Sequence, residues 1–376
     1  MIFNKRGVTL KNEHNFLLGG KKLEVTDQYQ YLGLKLRPSG SMNLAVEELN
    51  TKANRAWFSI SKVIFKHKRM EVEKSLQIFD SLVTPVATYG CEFWLPHCLP
   101  GKSFKNPENL ISSWETFLPE KLNQKCCRML LSLHKKASRL AVLGELGRYP
   151  LFLKSLSHCL NYKLYLNLKT DQLSILGSLM TEMRAMAQAD QDCWLSRVEK
   201  IETLFNSPKI RLSKSSSKVL NNSLRKKFDL HWLTEVNRVK LGADQINHNK
   251  LKTYSTLKSG FTREPYLSLL RNRNQRLHLS RLRTSSHNLG IERGRYNNTP
   301  INQRLCVYCT PSTAHRTTPT PPPHSTPDTA PSPTGSGSQH INCIDNEQHF
   351  LTQCPAFRTS RSCFYRKMSS LFPDFY

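Results

Sequence analysis

Arg304-Leu-Cys306-Val-Tyr-Cys309 and Asp345-Asn-Glu347-Gln-His349-Phe-Leu-Thr-Gln-Cys354-Pro355 are the stretches on which the reading of this chain turns. The Cys-x2-Cys pair supplies two thiolates from one tight turn. The His-x4-Cys pair supplies an imidazole and a third thiolate from a second short element. Three sulfurs and one nitrogen make a closed tetrahedral shell, which suits structural zinc. A closed shell leaves no position for a metal-bound water, so the pattern points away from a metalloenzyme and toward a binding module. Residues 310–348 separate the two halves, and loop-closure cost rises only logarithmically with length. Cys343, His340, His315 and His324 lie in that interval and could compete. The expected ligands are Cys306, Cys309, His349 and Cys354; the rival reading is four unconnected residues in a tail.

Composition narrows the partners. Lys and Arg total 55 against 28 Asp and Glu, a net charge of +27 over 376 residues. Such a field attracts polyanions, of which nucleic acid is the commonest. An anionic membrane surface is the rival, and plain solubility the bland reading. No uninterrupted apolar stretch is long enough to span a bilayer, and the start does not read as a signal peptide. Eleven cysteines at irregular spacing fit free thiols plus a metal better than a disulfide frame, and suggest a reducing compartment.

The chain divides by pattern. Residues 1–40 read as short strands: Met1-Ile-Phe, a turn at Lys5-Arg-Gly7, a hairpin about Gly19-Gly20, then Leu23-Glu-Val25 and Tyr29–Leu34. Residues 43–66 read as a helix, with Ala45, Leu49, Ala53, Ala56, Ile60 and Val63 or Ile64 at helical spacing. Asn43 is the expected cap. A second helix is expected over 71–83, stopping before Pro85, with the apolar stretch Val86–Trp94 packed on both. Residues 101–120 read as a polar loop. Residues 122–168 are helical again, interrupted by Gly144, Gly147 and Pro150. Weaker helices fill 170–260, where Lys214-Ser-Ser-Ser-Lys218 reads as an exposed loop. Residues 257–282 are basic and partly helical. Residues 311–338 are rich in Pro, Thr, Ser and Gly and should be disordered. The expected fold is mainly α, with a short β start and a zinc-pinned tail.

These blocks carry a resemblance. The run from Arg281-Leu-Arg283 through His287-Asn288-Leu289 and Glu292-Arg-Gly-Arg295-Tyr296 to the four ligands resembles the C-terminal zinc segment of non-LTR (LINE-type) retrotransposon reverse transcriptases. There the two ligand pairs usually lie closer together. Gln30-Tyr31-Leu32-Gly33, the helix holding Lys52-Ala-Asn-Arg-Ala56, and Thr84-Pro85 to Trp94 resemble the end of the palm and the thumb of the same enzymes. Ser132–Ser138 and Leu143-Gly-Glu-Leu-Gly-Arg-Tyr-Pro150 resemble the segment after the thumb. The likeness covers most of the chain, most weakly 170–255.

The resemblance implies a division into 1–40 (end of palm), 41–100 (thumb-like helices), 101–260 (helical segment), 261–310 (basic lead into the zinc module), 311–340 (insertion) and 341–376 (second half of the module and tail). It implies that Tyr31, Leu32 and Gly33 correspond to the primer grip, and that Lys52, Arg55, Lys62 and Lys66 track a template–primer backbone. Phosphate contacts of that kind give affinity and register without sequence choice. Arg271, Arg273, Arg276, Arg281 and Arg283 would supply the field beside the zinc module. Each cation taken singly reads better as a solvated helix face; the functional expectation concerns the face as a whole. The partners implied are RNA and DNA, with no membrane. The implied location is intracellular, in nucleus and cytoplasm, as a ribonucleoprotein.

The chemistry of polymerisation needs clustered carboxylates around two divalent ions, and the sequence has no Asp-Asp pair. Asp190 and Asp192, in sequence that reads as helix, would point to different sides. Glu47-Glu48, Glu71 and Glu73 read as helix-surface groups. No Gly-x-Ser-x-Gly elbow or Gly-Lys-Ser/Thr phosphate loop occurs. Gly335-Ser-Gly-Ser338 is linker composition, and Cys126-Cys127 reads as helix packing. No catalytic residue is therefore expected in this chain, and Met1 reads as an internal methionine of a longer frame. Magnesium would belong only to a full-length parent enzyme. The alternatives are a complete reverse transcriptase with a truncated gene model, and a decayed or co-opted non-enzymatic relic.

Overall fold

A computed structural model describes residues 16–66, 71–169, 174–204, 214–238, 251–309 and 343–371. The strand at 1–3, the turn at 5–7, the Pro/Thr-rich stretch, and His315, His324 and His340 lie outside those residues.

Two antiparallel hairpins come first. β1 (Leu17–Leu18) pairs with β2 (Lys21–Lys22), and β3 (Tyr29–Tyr31) pairs with β4 (Leu34–Leu36). Both turns hold two residues at positive φ, Gly19-Gly20 at 57° and 77° and Leu32-Gly33 at 45° and 84°. That geometry matches the twist of a two-residue hairpin. Leu32 adopts it despite carrying a side chain. Leu23-Glu-Val25 is not a strand; the Leu23 amide closes the first hairpin onto Phe16 O at 2.7 Å.

The rest of the described chain is mainly helical. α1 (Asn43–Lys66) buries Ala45, Leu49, Ala53, Trp57 and Ile64, while Val63 faces outward. Asn43 is the first helical residue rather than its cap. Its Oδ1 accepts from the Cys98 thiol at 3.7 Å, and the Met42 carbonyl takes the first helical hydrogen bond. α2 (Val72–Leu82) and α3 (Thr84–Ala87) follow, and Gly90, at φ 64°, turns the chain into α4 (Cys91–Cys98).

Residues 101–120 are not a polar loop. Asn106 caps α5 (Pro107–Ser112), its side chain accepting from the Asn109 amide at 2.7 Å. That short helix delivers Leu110 and Ile111 to the core, and the 3-10 turn Ser113–Glu115 after it delivers Trp114. Apolar burial overrides a polar local composition here.

α6 (Leu118–Leu130), α7 (Arg139–Leu146) and α8 (Leu151–Lys169) replace the single interrupted helical region. α9 (Ile175–Gln188), α10 (Trp194–Leu204) and α11 (Lys214–Asn237) come next. The Lys214–Lys218 run is the first part of α11, not a loop. The reason lies further along: Leu220, Leu224, Phe228, Trp232 and Val236 recur every fourth residue, and all are buried. A stripe of that kind carries the helix through a Ser/Asn-rich start with weak intrinsic propensity. Trp57, Trp94, Trp114 and Trp232 are all fully buried in one continuous core. Cys126 and Cys127 are buried in α6, and burial pushes the Cys127 thiol up to about 12.

The block Gly144-Glu-Leu-Gly-Arg-Tyr-Pro150 is accounted for by packing. A Cβ on Gly144 would lie 2.5 Å from Tyr254 Oη and 2.6 Å from the Trp232 ring. Gly147 ends α7 in the left-handed region, and a Cβ there would meet the Arg263 amide nitrogen at 2.4 Å. Arg148 forks onto Asp80 at 2.6 and 2.9 Å and reaches Asn123 Oδ1 at 2.7 Å. Glu120 Oε2 accepts from the Leu151 amide at 2.7 Å, placing a carboxyl group at the start of α8.

α12 (Lys252–Leu257), α13 (Tyr266–Leu269), α14 (Arg273–Arg283) and α15 (Gly290–Tyr296) lead to the cysteine pair, and α16 (Arg358–Leu371) follows the second pair. Among the described residues, no helix is long and apolar enough to cross a membrane.

Candidate metal centre and cationic surface

The metal-ligand geometry begins with backbone pairing. Leu305 and Ile344 form an antiparallel bridge, and the Cys306 amide donates to Cys343 O at 2.9 Å. These bonds seat the two halves side by side. Cys306 and Cys309 then face inward from a turn closed by Cys309 N to Cys306 O at 3.2 Å. Opposite them, residues His349–Gln353 form a single π turn, closed by the Cys354 amide on His349 O at 2.8 Å. A turn wider than 3.6 residues brings two side chains five positions apart onto one side. This is the physical meaning of the His-x4-Cys spacing.

The four donor atoms lie within 4.8 Å of one another. Cys354 Sγ is 3.8 Å from both Cys306 Sγ and Cys309 Sγ, and Cys309 Sγ is 3.3 Å from His349 Nε2. Zinc bonds of about 2.3 Å to sulfur and 2.0 Å to nitrogen require edges of roughly 3.8 and 3.5 Å. The sulfurs are well beyond the ~2.05 Å of a disulfide. Cys306, His349 and Cys354 are at most 3 % exposed, so the shell is closed to solvent on most sides. Burial and the neighbouring sulfurs push the Cys309 thiol up, so taking an ion here must release protons. His349 Nδ1 is buried without a protein partner. The cluster could hold a metal such as zinc. Cys343 contributes its carbonyl, and its sulfur stands outside the group.

Two acidic residues in the same stretch act as struts. The Asp345 carboxylate accepts from the Gly290 amide at 2.5 Å, its carbonyl accepts from Ile291 N at 2.8 Å, and its own amide donates to Arg304 O at 2.8 Å. Glu347 Oε1 is 2.9 Å from His287 Nε2 and 3.1 Å from Ser285 Oγ. Burial alone would raise the Glu347 carboxyl, but His287 and Ser285 outweigh it and hold it at about 2. Gly294 leaves room for Arg304, whose side chain a Cβ would meet at 2.4 Å. Sequence reading did not single out these struts, although the alternation Asp345-x-Glu347-x-His349 was visible.

Among the described residues, the other group of three or more such donors close enough to share an ion is Cys91, Glu92 and His158. Cys91 Sγ lies 3.8 Å from His158 Nδ1, and burial, with Glu92 beside it, pushes the Cys91 thiol up to about 12. Asp190 and Asp192 are not helical. α9 ends at Gln188, and Asp190 adopts φ 51° in the turn that follows. Arg197 clasps Asp192 at 2.6 and 2.7 Å, and Lys200 lies 4.0 Å from Asp190. Glu48 pairs with Lys35, Glu71 with Lys74, and Glu73 with Arg263.

Lys52, Arg55, Lys62 and Lys66 are all exposed on α1. Their successive spacings of three, seven and four residues set them in one stripe opposite the buried face. Tyr31 and Leu32 are exposed, 58 % and 71 %, at the tip of the β3–β4 hairpin, with Gly33 beside them. The five downstream arginines divide. Arg271 is exposed at the lead into α14. Arg273 lies over the Phe65 ring at 4.8 Å, and Arg281 Nε donates to Ser132 O at 3.2 Å. Arg276 is buried and donates to the carbonyls of Leu270 and Arg271 at 2.7 and 3.0 Å. Arg283 is bound to Glu145 and Glu264 at 3.1 and 2.9 Å. Both of these last two guanidinium groups are engaged within the fold.

Comparison with protein-family models, curated proteins and solved structures finds no match to this chain.

Proposed function

We propose that this chain is the C-terminal portion of a non-LTR retrotransposon RNA-directed DNA polymerase, binding RNA and DNA through phosphates. In this reading the Cys306, Cys309, His349 and Cys354 cluster holds one structural zinc ion. The observation that carries the binding claim is the cationic stripe of α1. From Lys52 to Lys66 it runs about 21 Å, the axial length of roughly six base pairs. Its opposite face is locked into the core by Trp57 and its apolar neighbours, so the charges are presented on a rigid element. A net charge of +27 supplies the wider field.

The chain by itself is proposed not to polymerise. Glu48, Glu71, Glu73, Asp190 and Asp192 each have a lysine or arginine within 4.0 Å, whereas the polymerase metals would need unpaired, convergent carboxylates. The continuous core with its four buried tryptophans supports a folded binder over a decayed relic.

The test is the salt dependence of affinity for a template–primer duplex. The logarithm of affinity should fall linearly with the logarithm of salt, by about 0.9 per phosphate contact. Replacing Lys52, Arg55, Lys62 and Lys66 together with Ala should lower that slope by roughly three to four. Affinity indifferent to salt would sink the binding claim; an unchanged slope would move the contact surface away from α1.

A further inference from the structure

Segments 132–136 and 281–296, distant in sequence, face each other across a cavity of about 590 Å³. Both walls contain a non-glycine residue in the left-handed region, Ser132 at φ 54° and Ser285 at φ 48°. Each is held there by a hydrogen bond to a distant segment. The Ser132 carbonyl accepts from Arg281 Nε at 3.2 Å, and the Ser285 hydroxyl donates to Glu347 at 3.1 Å. Strained backbone that its surroundings over-determine is concentrated at ligand sites.

The contents of the cavity specify a ligand chemistry. Lys136 Nζ stands 4.6 Å from the centre of the Tyr296 ring, which is 48 % exposed. Arg281, half-buried, lines the same cavity. An aromatic ring with a lysine ammonium over one face, in a cavity that Arg281 also lines, suits a base next to its phosphate, since aromatic stacking accepts any base and Lys and Arg take phosphate oxygens. The volume falls within the range of small-ligand sites. A base paired and stacked inside a duplex cannot enter a space of this size. His287, on the same wall, is tied through Glu347 to the segment holding His349. A strand engaged here therefore lies beside the metal cluster.

We propose that this cavity takes one unpaired nucleotide of a bound strand, with its base against Tyr296 and its phosphate toward Lys136 and Arg281. The proposal rests on the nucleic-acid reading above and adds a preference for single strands at a named site.

The experiment uses the full chain, its Tyr296→Ala and Tyr296→Phe variants, a labelled single-stranded oligonucleotide, and a blunt duplex of the same length. Tyr296→Ala should weaken single-strand binding by roughly tenfold, leave duplex binding unchanged, and be rescued by Tyr296→Phe. Equal loss on both ligands, no loss on the single strand, or a Phe variant as weak as the Ala variant would each overturn it. A chain that binds neither ligand defeats the nucleic-acid reading as well. Salt-dependent duplex binding with a single-strand affinity indifferent to Tyr296→Ala defeats this proposal alone.

Discussion

Glu145 and Arg283 are 138 residues apart in sequence and meet in a two-toothed ion pair, with Arg283 Nε and Nη2 each 3.1 Å from Glu145 Oε1. The Glu145 side chain is fully buried, and Tyr266 Oη donates to its second oxygen at 2.7 Å. Glu264 joins on the far side of Arg283 and is itself paired with Lys258. The helical body and the lead into the cysteine pair are thus fastened by charge inside the protein.

Removing one partner of such a pair strands the other. Arg283→Ala should cost about 3–5 kcal/mol, since it leaves a buried carboxylate without its cation. The double replacement Glu145→Gln with Arg283→Met should be milder than Arg283→Ala alone, because no isolated charge remains. Urea unfolding of the three proteins checks both statements. A loss under about 1 kcal/mol for Arg283→Ala would mean that water or Lys258 compensates.

Metal removal should act locally. With a chelator, amides at 304–309 and 343–357 should lose hydrogen-exchange protection, while α4 and α8 keep theirs, because the main core contains none of the four ligands. Metal analysis before chelation should give about one zinc per chain. Cys306→Ser and His349→Ala variants that retain full zinc content would show that the ion sits elsewhere.

The acid side of the stability profile should have two opposing slopes. Burial raises the Glu120 carboxyl to about 7, against the hydrogen bonds from Asn123 and the Leu151 amide. The unfolded chain loses that proton near pH 4.5, so folding is favoured below that value and the advantage fades as pH rises toward 7. Its size is on the order of 3 kcal/mol. Asp80 behaves in the opposite sense. Burial would raise it, but Arg148 lowers it below the usual range, so its contribution is present at neutral pH and lost as pH falls through its folded pKa. Glu120→Gln should remove the decline between pH 4.5 and 7 and leave the low-pH loss in place. A Glu120→Gln profile parallel to the parent's would refute the assignment to Glu120.

What the sequence disclosed follows the range of the forces involved. Cys306, Cys309, His349 and Cys354 could be picked out because metal chemistry imposes short local spacings, and the structure brings those residues together. α1 was readable because its apolar repeat is regular, although Trp57, its largest buried side chain, was not counted in that repeat. α11 carries an equally regular stripe, hidden behind the serines and lysine at its start. Trp114 was lost in a polar stretch because three core residues over five positions make no period. The Glu145–Arg283 pair and the reach of Asp345 to Gly290 have no local signature, since each joins segments that only the folded chain makes neighbours.

The bridge between Leu305 and Ile344, with the hydrogen bond from Cys306 to Cys343, acts as a clip between the two segments that flank residues 310–342. Whatever occupies that span enters and leaves at the same point. Doubling its length adds only about 0.6 kcal/mol of closure entropy. A change of length there is cheap in closure terms, which makes the junction a port for carrying a reporter or affinity handle.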